Sequence, residues 1–388
     1  MRNKTFFSSI AGVAAAAAIA GSALATNGIT QIPLPVDPNN PDGGNSLRNG
    51  TLSDDGQVLV GRDNNGYSLL WTASGGAQSV PVAYANGISG DGQVGFGTDA
   101  SFPGQAVRWS RSGSSTDSLG YLPASFQGSF AYAASTNGSV IAGSSFTDAG
   151  TRAFRWTSSG GMQDLGVLNP SGAYRASEAY GASGGGSVIA GYSTIGDEGV
   201  TRAFRWTSSG GMQNLGTLSG DAYSWASGVS KDGSTVIGNS TSSDGLGRAM
   251  RWTAGGGMEA LGALAEGQGS NALSASADGS LIVGSAFSVD SALHAFIWSA
   301  AMGMVDLNSY LSQSGFNLSG ITFTDALAIS ADGSTILANG YTLVTLDDGS
   351  GGTYDQTVDG SYLITVPAPG ALALLGVAGL TGARRRRA

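Results

Sequence analysis

One short motif returns seven times in this chain and sets what it can fold into. It reads DGQVLVG at Asp55, DGQVGFG at Asp91, NGSVIAG at Asn137, GGSVIAG at Gly185, DGSTVIG at Asp232, DGSLIVG at Asp278 and DGSTILA at Asp332. Six copies are followed, about 16 to 21 residues on, by a tryptophan. These are Trp71, Trp109, Trp156, Trp206, Trp252 and Trp298, spaced 38, 47, 50, 46 and 46 residues apart. The best-kept stretch, TRAFRWTSSGGMQDLGVL from Thr151, comes back almost unchanged from Thr201, and looser copies start at Gly247 and Leu293. A fixed period of this size marks a supersecondary unit that buries its apolar face only against its neighbours. Glycine contributes 64 of 388 residues, a load that would suit disorder, but 41% of the chain is hydrophobic and arranged with the period. That arrangement decides for a folded core.

Each unit divides into four strands. In the fifth, Ala226–Ser230 predicts a short strand, Lys231-Asp232-Gly233 a two-residue hairpin with the positive φ of Gly233, and Ser234–Ser240 a β-branched strand. Arg248–Thr253 is the tryptophan strand, and Met258–Leu264 is the fourth. Four strands in about 46 residues is the size of one propeller blade. The expected fold class is therefore all-β, a β-propeller of seven four-stranded blades, with a linear β-solenoid as the competing arrangement. Alternation puts Phe154 with Trp156, and Phe204 with Trp206, on one face, and the small Ala153 and Ala203 on the other. Large-against-small packing between blades follows. The seventh unit has no tryptophan, and Gly340–Leu346 stands in the expected place of that strand. Ile29–Pro33 is expected to complete this blade, with Ser361–Thr365 as the competing closing strand. The segments TRAFRW, LHAFIW and the following GMxxLG, over about Asn45 to Asp347, resemble the extracellular HAF repeat. His294-Ala295-Phe296 is its one literal copy here. The resemblance implies an extracellular repeat protein and no particular activity.

The two ends carry address signals. Arg2 and Lys4 precede an apolar run from Phe6 to Ala20, and Ala23-Leu24-Ala25 forms an A-x-A cleavage site. Residues 1–25 are expected to be a signal peptide and 26–366 the propeller. The last 22 residues, Pro367 to Ala388, hold a proline motif, an apolar run and Arg384, Arg385, Arg386 and Arg387. The fourteen residues from Gly370 to Ala383 would span about 21 Å as a helix, short of a bilayer core of about 30 Å. That length suits a transient transmembrane anchor whose arginines stay cytoplasmic; a permanent tail anchor is the plainer alternative. Val366-Pro367-Ala368-Pro369, the apolar run with Leu374-Leu375-Gly376, and the arginine cluster resemble the PEP-CTERM sorting signal. The same pattern also carries the label of an ice-binding protein C-terminal domain. Ala368 stands where that family usually has Glu. The resemblance implies processing by an exosortase-type membrane enzyme in exopolysaccharide-making bacteria, after cleavage by signal peptidase at Ala23 and Ala25.

No constellation in the body points to chemistry, and no catalytic, cofactor or metal residue is assigned. There is no cysteine, so disulfides and thiolate catalysis are out. Net charge is −9, and about −15 without the basic ends, which argues against a nucleic-acid partner. His294, the one histidine, stands where other repeats have Arg152, Arg202 or Arg248, so it reads as a strand residue. Glu178, Glu198, Glu259 and Glu266 fall in separate blades or loops, and most aspartates belong to turns. Asp37, Asn39, Asn40 and Asp42, and Asp347-Asp348-Gly349, are oxygen-rich but lack a calcium-loop pattern. Arg108, Arg155, Arg205 and Arg251 form a ladder that either pairs with carboxylates or meets an anionic glycan. The expectation is an exported cell-surface or matrix protein presenting a propeller to a glycan or protein ligand. The alternative is a secreted carbohydrate-active enzyme on the same scaffold. Ice binding would need a regular threonine array, and none repeats.

Overall fold

The computed structural model describes residues 28–34, 45–173, 175–196, 198–347 and 353–366. They form seven four-stranded antiparallel sheets, all β apart from one short helix, Leu307–Gln313. Blades 1 to 6 span 47–79, 84–118, 129–164, 177–214, 223–260 and 270–306. Blade 7 joins 322–365 to the N-terminal strand Ile29–Ile32. The first strands of consecutive blades touch one another in an unbroken cycle, blade 7 against blade 1 included. The array is thus a closed seven-bladed propeller and not a linear solenoid.

The repeat motif explains the blade's inner edge. The loop after each first strand is longer than the two-residue hairpin expected from sequence. In blade 1, Ser53 N–H bonds to Val58 O at 2.8 Å, and Gly56 N–H to Ser53 O at 2.9 Å. Five residues, Ser53 to Gln57, therefore separate the strand ends and include a β-turn closed by a glycine at φ 69°. Asp55 is occupied structurally, accepting from Ser53 Oγ and, at 3.0 Å, from Gln57 N–H. Asp232, Asp278 and Asp332 repeat the arrangement. These loops also stitch the blades into a ring. The backbone bonds Asp54→Gly90, Asp91→Thr136, Thr136→Gly184, Gly184→Lys231, Asp232→Ala277, Ala277→Ala331 and Ala331→Asp54 link each blade to the next and return to the start. The ring is thereby closed by backbone bonds at its turn end.

Between blades the expected large-against-small packing is present. Phe204 and Trp206 of blade 4 pack with Ala142 and Ala153 of blade 3, and Phe154 and Trp156 of blade 3 pack with Phe96 and Ala106 of blade 2. The six repeat tryptophans are no more than 8% exposed. Each contributes on the order of 3 kcal/mol or more. Three of the four ladder arginines have structural partners: the Arg108 and Arg251 guanidinium carbons lie 4.8 and 4.5 Å from the Trp156 and Trp298 ring centroids of the following blades. Arg108 also pairs with Asp117, Arg251 with Glu259, and Arg155 donates to Gly186 O at 3.0 Å.

Blade 7 corrects one sequence expectation. Gly340–Leu346 is not the tryptophan strand; it continues the second strand, which runs through Thr335–Asp347. The third strand is Thr353–Thr365, paired with it along thirteen residues. Ile364, fully buried, takes the place held elsewhere by tryptophan, opposite Ile336. Ile29–Ile32 then pairs with Ser361–Ile364 as the outer strand. The two candidate closing strands are therefore neighbours in one sheet. A long two-stranded ribbon hid the third strand, because it pushed the sequence match beyond the repeat's usual spacing.

Candidate ligand-binding site

The first strand of each blade borders the central channel, and most of its positions are monotonous. Near its start, blades 3 to 6 carry Ser129, Ser177, Ser224 and Ser270. Their hydroxyls accept the N–H of Ala106, Ala153, Ala203 and Ala249 of the preceding blade at 2.9 to 3.0 Å. Two residues on comes a fully buried alanine: Ala131, Ala179, Ala226 or Ala272. The position between varies without restraint. Around the ring it is Arg48, Tyr84, Phe130, Glu178, Trp225, Asn271 and Asp325. The position after the alanine varies too: Gly50, Asn86, Tyr132, Tyr180, Ser227, Leu273 and Leu327.

A backbone device aims this last group at the channel. The pairing of first and second strands slips by one residue at Asn86, Tyr132, Tyr180, Ser227 and Leu273, making a β-bulge each time. The bulge sits beside the final glycine of the repeat motif. A Cβ on Gly143 or Gly191 would stand 1.9 Å from the carbonyl oxygen of Phe130 or Glu178. Bulges commonly redirect side chains beside functional sites. Here they turn Tyr132, Tyr180, Ser227 and Leu273 into the wall of an inner cavity of ≈ 170 Å³.

The two ends of that channel differ. At the turn end, Lys231 Nζ and Asp54 Oδ1 meet at 2.9 Å from blades 5 and 1, and Thr136 Oγ1 donates to Asp54 Oδ2 at 3.0 Å. These side chains bridge the opening. At the far end the Tyr132 and Tyr180 rings stack at 4.9 Å and Tyr180 and Tyr192 at 6.1 Å. Glu178 receives the hydroxyls of Tyr180 and Tyr192, one on each carboxylate oxygen, both at 2.8 Å. Tyr180, Tyr192 and Thr201 face Trp225, Asn271 and Leu273 across a slot of ≈ 430 Å³. That lies within the usual size of small-ligand sites, about 300–1,000 Å³. Asn271 Oδ1 is buried in this region without a hydrogen-bond partner, an acceptor awaiting a donor. Burial, followed by the nearby Glu178 charge, pushes the Tyr132 hydroxyl up to about 12. The same two causes raise Tyr180 and Tyr192 as well. Tyr180 and Tyr192 thus stay protonated donors to Glu178 at neutral pH.

Sequence reasoning placed Glu178 among unremarkable glutamates and passed over Tyr132, Tyr180, Tyr192 and Trp225. One available signal was Trp225 itself, the seventh tryptophan, which falls outside the repeat spacing. His294 behaves as expected of a strand residue. Its Nδ1 lies 2.5 Å from Asp306 Oδ2, and Asp306 also caps the helix Leu307–Gln313. Among the sorting residues, Val366 is buried in the blade 7 core and its N–H bonds to Ser334 O at 2.8 Å. Ala23, Ala25, Pro367, Ala368, Pro369 and Arg384–Arg387 lie outside the described residues, as do Asp37, Asn39, Asn40 and Asp42. Among the described residues, no helix is long and apolar enough to cross a membrane, and no three His, Cys, Asp or Glu side chains gather for a metal.

Seven radial blades around a channel with one open aromatic end define the chain as a β-propeller with a candidate axial ligand site. No family model and no curated protein matches it. Among solved structures it is similar to the oligogalacturonate lyase of Vibrio parahaemolyticus, at 11% identity over 87% of this chain and 93% of that one, with a TM-score of 0.50. It is also similar to an oligogalacturonate lyase in complex with manganese, at 13% identity, 89% and 95% coverage and a TM-score of 0.49. TolB from Acinetobacter baumannii matches at 12% identity, 82% and 79% coverage and a TM-score of 0.42. At such identities the likeness concerns the propeller scaffold alone.

Proposed function

We propose that this chain is an exported, non-enzymatic binding protein of the cell surface or extracellular matrix, holding a carbohydrate in the Tyr180–Trp225 slot. The observation that carries the binding reading is internal to the chain. Seven copies of one repeat stay alike where they touch a neighbouring blade and diverge where they touch the channel. That divergence leaves the channel-facing side chains free to be fitted to a ligand. Carbohydrate is favoured by the slot's chemistry: aromatic walls for the C–H faces of a sugar, with the Asn271 amide oxygen as an acceptor for its hydroxyls. Binding rather than catalysis is favoured because both Glu178 oxygens already hold tyrosine hydroxyls. The nearest counterpart among the divergent rim positions that is also an acid, Asp325, is three blades away around the ring. Glycosidases set two carboxylates about 5–10 Å apart across the scissile bond.

Export rests on the two ends. Signal peptidase would release the chain near Thr26. An exosortase-type enzyme would process the Pro367–Ala388 tail after transient anchoring in the inner membrane. Intact-mass measurement of the exported protein tests this, with loss of both ends expected; retention of Arg384–Arg387 would overturn the sorting role. A glycan array with the same exported protein tests the slot. Trp225→Ala is expected to abolish whatever binding is found, and release of cleaved sugar would move the assignment to a carbohydrate-active enzyme.

A further inference from the structure

We infer that the ligand is a neutral polysaccharide chain, which leaves the slot and runs across the open end of blade 3 to Phe102. The inference rests on the reading of the slot as a glycan site and deepens it. The aromatic rings do not stop at the slot. Tyr192, Tyr180, Tyr132, Phe130, Phe146, Phe126 and Phe102 form one continuous series, with neighbouring centroids 4.9 to 6.4 Å apart. It starts on blade 4, crosses blade 3 and ends on the loop between the second and third strands of blade 2.

Exposure climbs along the series. The rings at the slot are half-buried, Phe126 is 55% exposed and Phe102 is 93% exposed. Core packing explains rings that sink inward, and a single exposed phenylalanine needs no explanation. A joined line of rings that climbs from a ligand slot into water is different, because it offers a continuous apolar track. One sugar fills the slot; only a chain reaches Phe102.

Charge selects the kind of chain. The residues facing the slot include no Lys or Arg, and Glu178 sits at the hydroxyl edge of its tyrosine wall. A uronate carboxylate there would be desolvated beside a like charge with no cation to meet it. A neutral sugar loses nothing of this kind and gains the stacking. The slot therefore discriminates against acidic sugars.

Calorimetric titration of the full exported chain tests the inference, using gluco-, manno- and galacto-oligosaccharides from two to six units, with oligogalacturonate as the acidic probe. Affinity for the best neutral series is expected to rise at least about tenfold, equivalent to roughly 1.4 kcal/mol, from two units to six. Phe102→Ala is expected to remove most of that gain and leave the two-unit affinity unchanged. The exposure of Phe102 keeps this variant folded, which an unchanged melting temperature verifies. Oligogalacturonate is expected to bind at least about tenfold more weakly than the neutral chain, the same 1.4 kcal/mol step. Length-independent binding, or no effect of Phe102→Ala, overturns the track while leaving the slot intact. Equal or tighter binding of the uronate overturns the charge argument. Absence of binding by every neutral series removes the glycan reading of the slot, and the inference with it.

Discussion

The two ends of the central channel are built from the same seven repeats and have opposite characters. At the turn end, seven short loops share one hydrogen-bonding scheme, backbone bonds close a ring, and Asp54 and Lys231 bridge the opening. At the far end the corresponding positions hold arginine, tyrosine, phenylalanine, glutamate, tryptophan, asparagine and aspartate, and the wall is aromatic. The comparison teaches where a repeat protein has freedom. A loop that must hydrogen-bond to its copy on the next blade is held to one solution. A side chain aimed at open space by a bulge has no copy to satisfy.

The strongest way to break this contrast is to attack what both ends share. Trp206→Ala empties a site between blades 3 and 4 where the ring is 6% exposed. It is expected to cost about 3–5 kcal/mol, read from a denaturant midpoint. A loss under 1 kcal/mol would mean that the blades do not depend on their tryptophans. A subtler change separates the ends. Gly191→Ala puts a Cβ 1.9 Å from Glu178 O, at the bulge that aims Tyr180. The expected cost is about 1–3 kcal/mol of stability together with loss of slot binding. Retained binding at full affinity would show that the bulge does not position the slot.

The smallest effect sharpens the comparison through pH. Hydrogen bonds to Asp232, Asp278 and Asp332 hold these turn carboxylates below their ordinary range. At Asp232 burial pulls the other way, but the Ser230 and Ser234 bonds outweigh it; at Asp278 the Ser280 N–H leads, and at Asp332 the Ser330 hydroxyl. A depressed folded value gives stability that is present above the unfolded value, roughly 3.9, and is lost as pH falls through the folded one. These side chains are exposed, so the acid loss is modest. The tyrosines act in the opposite sense. With Tyr132 raised from 10.0 to about 12, its contribution is complete below pH 10 and disappears as pH rises through the folded value. Tyr180 and Tyr192 extend the window upward. Melting temperatures across pH should therefore show a shallow acid arm from the turn end and an alkaline arm from the slot. Tyr132→Phe should weaken only the alkaline arm, and an unchanged alkaline arm in that variant would remove Tyr132 from its cause.

Much of the scaffold was legible before the fold was known. Trp156 and Phe154 alternate along one strand, and strand geometry alone puts them on one face. The glycine closing six of the seven motifs was equally visible, but its use was not. Gly191 reads as a strand-weakening residue until the carbonyl of Glu178 is found against it. Blade 7 was misread in one strand because its tryptophan position is filled by Ile364, which carries no distinctive signal.

The sequence by itself determined seven repeats and their four-strand make-up, while closure into a ring and the closing strand stayed open between alternatives. The repeats and their strands follow from periodicity and strand alternation, which are local and repeated seven times. Only the tertiary structure decided that Tyr132, Tyr180, Tyr192, Glu178, Trp225 and Asn271 belong to one site. They lie on four different inner strands and one second strand, at positions the repeat leaves unmarked. Their meeting depends on ring closure and on the bulges, and neither is encoded in the spacing of any single copy.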